Sequence, residues 1–267
     1  MASINAEIAR RRRDYVGVRG PDATSYLQAM VSNDVEKLGP GESCEALLLT
    51  PKARVIAPMI VVRRAADDYL LLTEPGLGER LRAALMRSRF AAKCQIEGER
   101  HTSAIVFGEA DGIPTAEFGS AAVEVLDADL DCTMADDELE RLRIRAGTPR
   151  FGLEIDERVL PAEAGLEVRA IDFAKGCYPG QEPVARQHYR GRVNRALRVL
   201  EIEGREAPPY DAELSHDGKV VGRITSAAPD GDVVVALGYV RREVSSEAVL
   251  DVQGRIARQL DLASARP

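Results

Sequence analysis

Lys175, Gly176, Cys177, Tyr178, Pro179, Gly180, Gln181 and Glu182 run together as KGCYPGQE, followed at once by Pro183 and soon by Arg186. A cysteine bracketed by two glycines reads as a thiol presented on a tight loop, because glycine reaches backbone conformations that a Cβ disfavours. Pro183 suits the first turn of a helix, where its missing N–H is harmless, and Gln181 and Glu182 can serve the unpaired amides of that turn. Cys177 is therefore expected near a helix N-terminus, with Lys175 before it and Arg186 and His188 after it. Positive charge and the helix dipole both favour thiolate over thiol. A free cysteine is more often a small buried hydrophobe, yet a core cysteine has no need of flanking Gly, Lys and Gln-Glu. The expected chemistry is that of an activated thiol, with Lys175 helping to hold it ionised.

Other chemistry-bearing residues are scattered. Cys44, Cys94, Cys132 and Cys177 form no CxxC pair, and His101, His188 and His216 are too few for a histidine metal site, so no resident metal and no disulfide framework are expected. Nucleophile-elbow, Walker-type, HExxH and dinucleotide motifs are all missing. A cysteine hydrolase pairing Cys177 with His188 is a weak alternative, since a helix after Pro183 carries His188 along its axis and no orienting Asn or Asp is evident. His216 precedes Asp217-Gly218, where turn chemistry explains it.

The chain has 267 residues, 45% of them hydrophobic, which is enough for a sizeable core and about two domains. Its net charge of -7, the absence of Trp and an aromatic content of 4% argue against a surface that tracks phosphates or stacks bases, so no direct nucleic-acid partner is expected. Nothing at the start resembles a secretory signal, and the longest apolar run, Val55 to Val62, is too short to cross a bilayer. A reducing, cytoplasmic setting without membrane contact follows. Arg10 to Arg13, with Glu7 and Asp14 nearby, reads as a solvated helix end.

The elements that must position Cys177 are readable from periodicity. Tyr15 to Gly20 alternates like a strand, and Pro21-Asp22 opens a helix carrying Tyr26, Leu27, Met30 and Val31. Cys44 to Leu49, Val55 to Val62 and Asp68 to Leu72 read as an antiparallel meander covered by a helix from about Leu77 to Phe90. Strands are expected near Cys94 to Glu97 and Thr102 to Phe107, a connector over Gly108 to Asp131 with one short strand at Ala121 to Leu126, and a helix at Asp136 to Ala146 closed by Gly147. From Asn194 onward short strands and turns, including an Asp217-Gly218 hairpin, indicate a small all-β barrel or sandwich. The boundaries implied are a body over residues 1–192 and a barrel over 193–267.

KGCYPGQE, continuing to Arg186 and Gly191, resembles the signature of the YgfZ family, folate-binding proteins related to the T-protein (aminomethyltransferase, GcvT) of the glycine cleavage system. The likeness extends to GPDATSYLQAMVSNDV (Gly20 to Val35), LLLTPKARV (Leu47 to Val55), PRFGLEID through LPAEAGLE (Pro149 to Glu167), VGRITSA (Val221 to Ala227) and ALGYV (Ala236 to Val240). It implies an α+β, aminomethyltransferase-like body around a central folate pocket, with a C-terminal antiparallel β-barrel. It also implies tetrahydrofolate or a derivative as ligand, and a role in assembly or repair of iron-sulfur clusters in other proteins, including radical enzymes that modify tRNA. Iron-sulfur client or assembly proteins are the implied partners, and a mitochondrial iron-sulfur assembly factor belongs to the same group.

Two departures matter. Ala53 stands where the family usually has Gly. An Asp pair of aminomethyltransferases, one of them essential for transferring the aminomethyl carbon, corresponds here to Ala57 and Pro58, neither of which can act as acid or base. A folate-dependent one-carbon transferase, with Asp34 as substitute carboxylate, is the alternative reading. For the folate, a slot needs ring surfaces, polar groups for the pterin edge and cations for the glutamate tail. The candidates are Asn33, Lys52, Arg150, Tyr178, Gln181, Glu182 and Arg186, with Phe173 more readily a core residue, and the pocket is expected between body and barrel.

Overall fold

The β-branched and leucine-rich runs VIAPMIVVRRA and DYLLLT form the middle of a five-stranded antiparallel sheet in the computed structural model, which describes residues 6–191 and 193–260. In chain order the first half contains β1 (Glu7–Arg10), β2 (Asp14–Arg19), α1 (Ala23–Met30), β3 (Ser43–Leu49), β4 (Val55–Ala65), β5 (Asp68–Thr73), α2 (Gly78–Ser88), β6 (Gln95–Glu99), β7 (Ser103–Phe107), β8 (Ile113–Thr115) and β9 (Ala122–Leu126). Then follow α3 (Asp136–Arg145), α4 (Glu167–Ala170), α5 (Gln181–Arg190), β10 (Arg195–Glu203), β11 (Glu213–His216), β12 (Lys219–Asp230), β13 (Val233–Arg241), β14 (Val249–Val252) and β15 (Arg255–Leu260).

The first sheet has the order β3-β4-β5-β2-β6. One face packs on α1 and α2 through Leu27, Leu81, Leu85, Val16, Val18 and Leu71, and each such side chain taken from water contributes about 1.5–3 kcal/mol. Its other face meets the second sheet, β1-β7-β9-β8, through Tyr15, Ile60, Leu70, Leu72 and Ile113. With apolar cover on both sides, β5 reads as a nearly continuous hydrophobic run rather than an alternation. The expected connector over 108–131 therefore does more than connect, since β8 and β9 complete the second sheet.

The last part closes into a six-stranded barrel, β10-β13-β12-β11-β14-β15. Its β11–β12 hairpin turns on Asp217 (φ 50°) and Gly218 (φ 72°), the pair of left-handed residues that a two-residue hairpin turn requires. A shared core joins Leu47, Leu49, Ala170 and Tyr178 of the body to Leu197, Val199, Leu237 and Tyr239 of the barrel. Arg143 of α3 reinforces the junction: it is buried and donates to Glu154, Thr148 O and Ser226 Oγ of β12.

The arginine run departs from expectation. Arg10 ends a strand, and the alternation continues past it, so that Arg11 and Arg13 turn inward while Arg12 faces solvent. Arg11 reaches Glu74 (2.9 Å) and Glu117 (3.0 Å); Arg13 reaches Glu117 (2.5 Å) and Glu124 (2.8 Å). Charge suggested a solvated end, but period-two geometry, the buried Glu124 and the largely covered Glu74 and Glu117 decide otherwise. Among the described residues no helix is long and apolar enough to cross a membrane.

Candidate functional site

The segment from Ile171 to Gly180 lies across the C-terminal end of α1 and is fastened there residue by residue. Ser32, fully buried, donates to Ala170 O (2.6 Å) and accepts from Leu47 N (2.8 Å), while Asp172 N donates to Ser32 O (3.0 Å). Asp172 accepts from Lys37 Nζ (2.9 Å) and from Ala174 N (2.7 Å). The Phe173 ring stacks on His188 of α5 with centroids 3.9 Å apart. Tyr178 is buried in the body–barrel core, its ring 5.4 Å from Lys175 Nζ. Gly180, at φ 85°, presses against Thr50 O and Ala53 in the turn before β4. Between these anchors Cys177 is exposed, four residues before α5 begins. The result is a thiol on the surface whose backbone neighbours are immobilised.

Lys175 is placed differently from the expectation. Its ammonium donates to Gln28 O (2.8 Å) in the last turn of α1, to Val31 O (2.6 Å) at its cap and to Asn33 O (2.9 Å) just beyond it. An ammonium has three protons, and all three are used, so none remains for a hydrogen bond to a thiolate at Cys177. Burial lowers its pKa to about 8. Lys175 locks the loop onto α1; it is a positioning residue for Cys177. The two glycines also differ: only Gly180 adopts a left-handed conformation, and a Cβ at Gly176 would meet nothing within 4 Å.

The remaining candidates fall in several places. Asn33 donates to Glu45 O (2.7 Å) and Arg169 O (3.2 Å), so its amide ties two strand and helix backbones together. Lys52 is exposed at the turn that Gly180 touches. Arg150 pairs with Glu140 (2.8 Å) at a cavity of about 380 Å³ that the Cys loop does not line. Gln181 and Glu182 occupy the first turn of α5, and Arg186 is exposed on it with no ion pair among the described residues. Tyr178 has its hydroxyl buried without a hydrogen-bond partner, and burial pushes its pKa up to about 12. Asp34 accepts from Gln28 and Glu36 N and pairs with Lys37 (3.0 Å). His188 sits beside Glu167 at 3.6 Å. The cleft between body and barrel, about 530 Å³ in volume, is lined by Arg158, Arg195, Arg223, Tyr239 and Arg241 and by none of the proposed ligand residues.

Three cavities of the body share lining residues. The 380 Å³ cavity meets a central one at Glu74, and the central one meets an open funnel of about 910 Å³ at Glu45, Ile60 and Arg169. The central cavity measures about 40 Å³. Arg13, Glu74 and Glu117 line it, and they belong to an ion cluster that also holds Arg11 and Glu124. Sequence reasoning missed this whole group, together with Glu45 and Arg169, which pair at 3.2 Å. The available signal was period two: Arg11 and Arg13 continue an alternation, and Glu45 interrupts the apolar face of SCEALLL.

No model of a known protein family matches the chain. An uncharacterised protein of Haemophilus influenzae is 26% identical over 87% of this chain and 88% of its own length. An aminomethyltransferase of Rippkaea orientalis is 24% identical over 90% of this chain. A mitochondrial iron-sulfur cluster assembly factor IBA57 homolog of Pyricularia oryzae is 28% identical over 79% of it. The chain spans only 54% and 61% of those last two proteins. The crystal structure of glycine cleavage system aminomethyltransferase T from Bartonella henselae superposes with a TM-score of 0.80 over 98% of this chain and 87% of that one, at 20% identity. The fold is that of an aminomethyltransferase. On that fold, β4 carries Ala57 and Pro58 near its start; Ala57 is fully buried and Pro58 lines the 40 Å³ cavity.

Thiol accessibility yields a direct expectation. Cys132 and Cys177 are exposed, Cys94 is buried, and Cys44 is half-buried, with burial pushing its pKa up to about 12. Iodoacetamide at neutral pH is expected to label Cys177 and Cys132 in the folded protein and Cys44 and Cys94 after unfolding, as read by peptide mass mapping. Labelling of Cys177 only in denaturant would remove it from consideration as a reactive group.

Proposed function

We propose that this chain is a YgfZ-like, folate-binding accessory protein that supports assembly or repair of iron-sulfur clusters in client proteins, tRNA-modifying radical enzymes among them, through Cys177. The observation that carries the reading is the exposed Cys177 thiol on a loop pinned at Phe173, Lys175, Tyr178 and Gly180. Pinning holds a nucleophile or soft ligand in one geometry and removes the entropy cost of ordering it when a client docks. A relative named for iron-sulfur cluster assembly supports the same direction. Aminomethyl transfer is disfavoured because Ala57 and Pro58 offer no proton-transfer group. Asp34 is a poor substitute: burial alone would raise its pKa, but Lys37 and the hydrogen bonds of Gln28 and Glu36 hold it below the ordinary carboxylate range.

Tetrahydrofolate is the small molecule this reading implies. The centre of the body does not fit it: ligand pockets run to roughly 300–1,000 Å³, and 40 Å³ holds little more than a water molecule. The 910 Å³ funnel beside it has the volume.

The test compares cells carrying the wild type, a deletion and Cys177→Ala. Cluster-dependent enzyme activities are expected to fall in the deletion and in Cys177→Ala alike, most under oxidative stress, while glycine cleavage continues. Full cluster-dependent activity with Cys177→Ala under that stress would overturn the reading, and so would purified protein that makes methylenetetrahydrofolate from an aminomethylated carrier.

A further inference from the structure

The funnel has a floor, walls and a chemically distinct end. Its walls include Leu38, Ile60, Pro114, Ala116 and Val123, apolar surfaces suited to the faces of a flat ring. At its end stand Glu45 and Arg169, their side chains 30% and 21% exposed, paired to each other through Arg169 Nε and to no second ionic partner among the described residues. Asn33 fixes their spacing by donating one amide to the backbone carbonyls of both. Glu45 is unlike its buried neighbours. Glu124 accepts from Arg13 and Ser103, and Glu117 accepts from Arg11 and Arg13, which leaves little acceptor capacity for anything else. Glu45 has one cation and open space in front of it. Beyond it the way to the centre is narrow, because the 40 Å³ cavity is walled by the Arg13–Glu117 ion pair, whose largely covered charges would have to separate to open it.

We propose that the small-molecule seat of this chain is the funnel ending at Glu45 and Arg169, where a flat heterocycle binds by an aminopyrimidinone edge without entering the centre of the body. That edge presents an exocyclic oxygen, a ring N–H and an amino group side by side. Glu45 accepts from the two N–H groups as a bidentate carboxylate, and the guanidinium of Arg169 donates to the oxygen. Pteridines and guanine share the edge. The inference rests on the folate part of the reading above, which favours the pteridine, and it differs from the expectation of a central pocket. Asn33 acts here as a positioning residue, whereas Arg186 and Tyr178 take no part.

Calorimetry with 5-formyltetrahydrofolate and with GMP, on the wild type and four variants, tests it. The folate is expected to bind and GMP to bind at least about tenfold more weakly. Glu45→Gln, which keeps the shape and removes one acceptor, is expected to weaken folate binding about tenfold or more, and Ala116→Trp, which fills an exposed stretch of funnel wall, to abolish it. Asp136→Trp, at the mouth of the 380 Å³ cavity, and Cys177→Ala are expected to bind as the wild type does. Binding lost in Asp136→Trp and kept in Ala116→Trp would move the seat to that cavity and overturn the inference. Unchanged affinity in Glu45→Gln would overturn it too, as would GMP binding in preference to the folate or no heat from either ligand. In that last case a cluster defect in Cys177→Ala cells would still stand, so the thiol reading and the ligand seat fail separately.

Discussion

Arg13→Met is expected to lower unfolding free energy by about 3–5 kcal/mol, the range seen when one partner of a buried ion pair is removed. The side chain of Arg13 is 3% exposed and meets Glu117, Glu124 and, at 3.9 Å, Glu74. Methionine fills similar volume but leaves Glu124, fully buried, with Ser103 as its remaining partner and Glu117 with Arg11 alone. Arg12→Met is the control: that side chain is 72% exposed and 3.6 Å from Asp136, a pair worth about 0–1 kcal/mol. Urea unfolding of both variants measures the difference. Equal midpoints would mean that the arginine run is surface charge after all.

The same region sets the acid limit of the fold. Burial alone would raise the Glu117 carboxyl, but the charges of Arg11 and Arg13 and the hydrogen bond from Arg13 hold it well below the ordinary range. At the rim of the first sheet, the hydrogen bond from Arg64 outweighs desolvation and, with His101, takes Glu99 from 4.5 down to about 2. A carboxylate whose pKa is depressed by folding contributes stability that is present above its unfolded value and lost as pH falls through the folded one. Stability is therefore expected to decline from pH about 4.5 toward about 2, which chemical denaturation at stepped pH would follow. In Arg13→Met part of that slope should disappear.

What was legible in the sequence was local. The Asp217-Gly218 hairpin, α3 with its acidic first turn and Gly147 stop, and the leucine stripe of α2 are each specified within a dozen residues, and each forms where the pattern puts it. The Cys loop was legible as a loop that presents a thiol, and Cys177 is exposed. The targets of its neighbours were not legible. Lys175 meets Gln28 across 147 positions and Ser32 meets Ala170 across 138, and no periodicity carries such pairings. Proximity in sequence therefore paired Lys175 with the thiol, whereas tertiary structure offered it the unsatisfied end of α1, a better site for an ammonium. The ion cluster failed for a related reason: four consecutive arginines look like solvated charge until strand alternation divides them between two faces.

Gly180→Ala is expected to be the most damaging single change in the Cys loop. A Cβ there would lie 2.5 Å from Thr50 O and 3.2 Å from both Ala53 Cα and Leu49 Cβ, and the residue holds φ at 85°. The left-handed conformation alone costs an alanine about 1–2 kcal/mol, and a contact with backbone oxygen at that distance can be relieved only by moving the loop or the turn. Ala53, itself held at φ 58° and buried, leaves that turn little slack. A loss of about 3 kcal/mol follows, a fall in Tm on the order of 5–10 °C. Because α5 starts at the next residue, the shift should reach Cys177 and change its alkylation rate. Gly176→Ala provides the contrast across the thiol, with no left-handed φ and nothing within 4 Å of the added methyl, and should leave both stability and labelling near wild type. If the two substitutions behave alike, the thiol is not held from the Gly180 side, and the anchored-loop account of Cys177 loses its strongest contact.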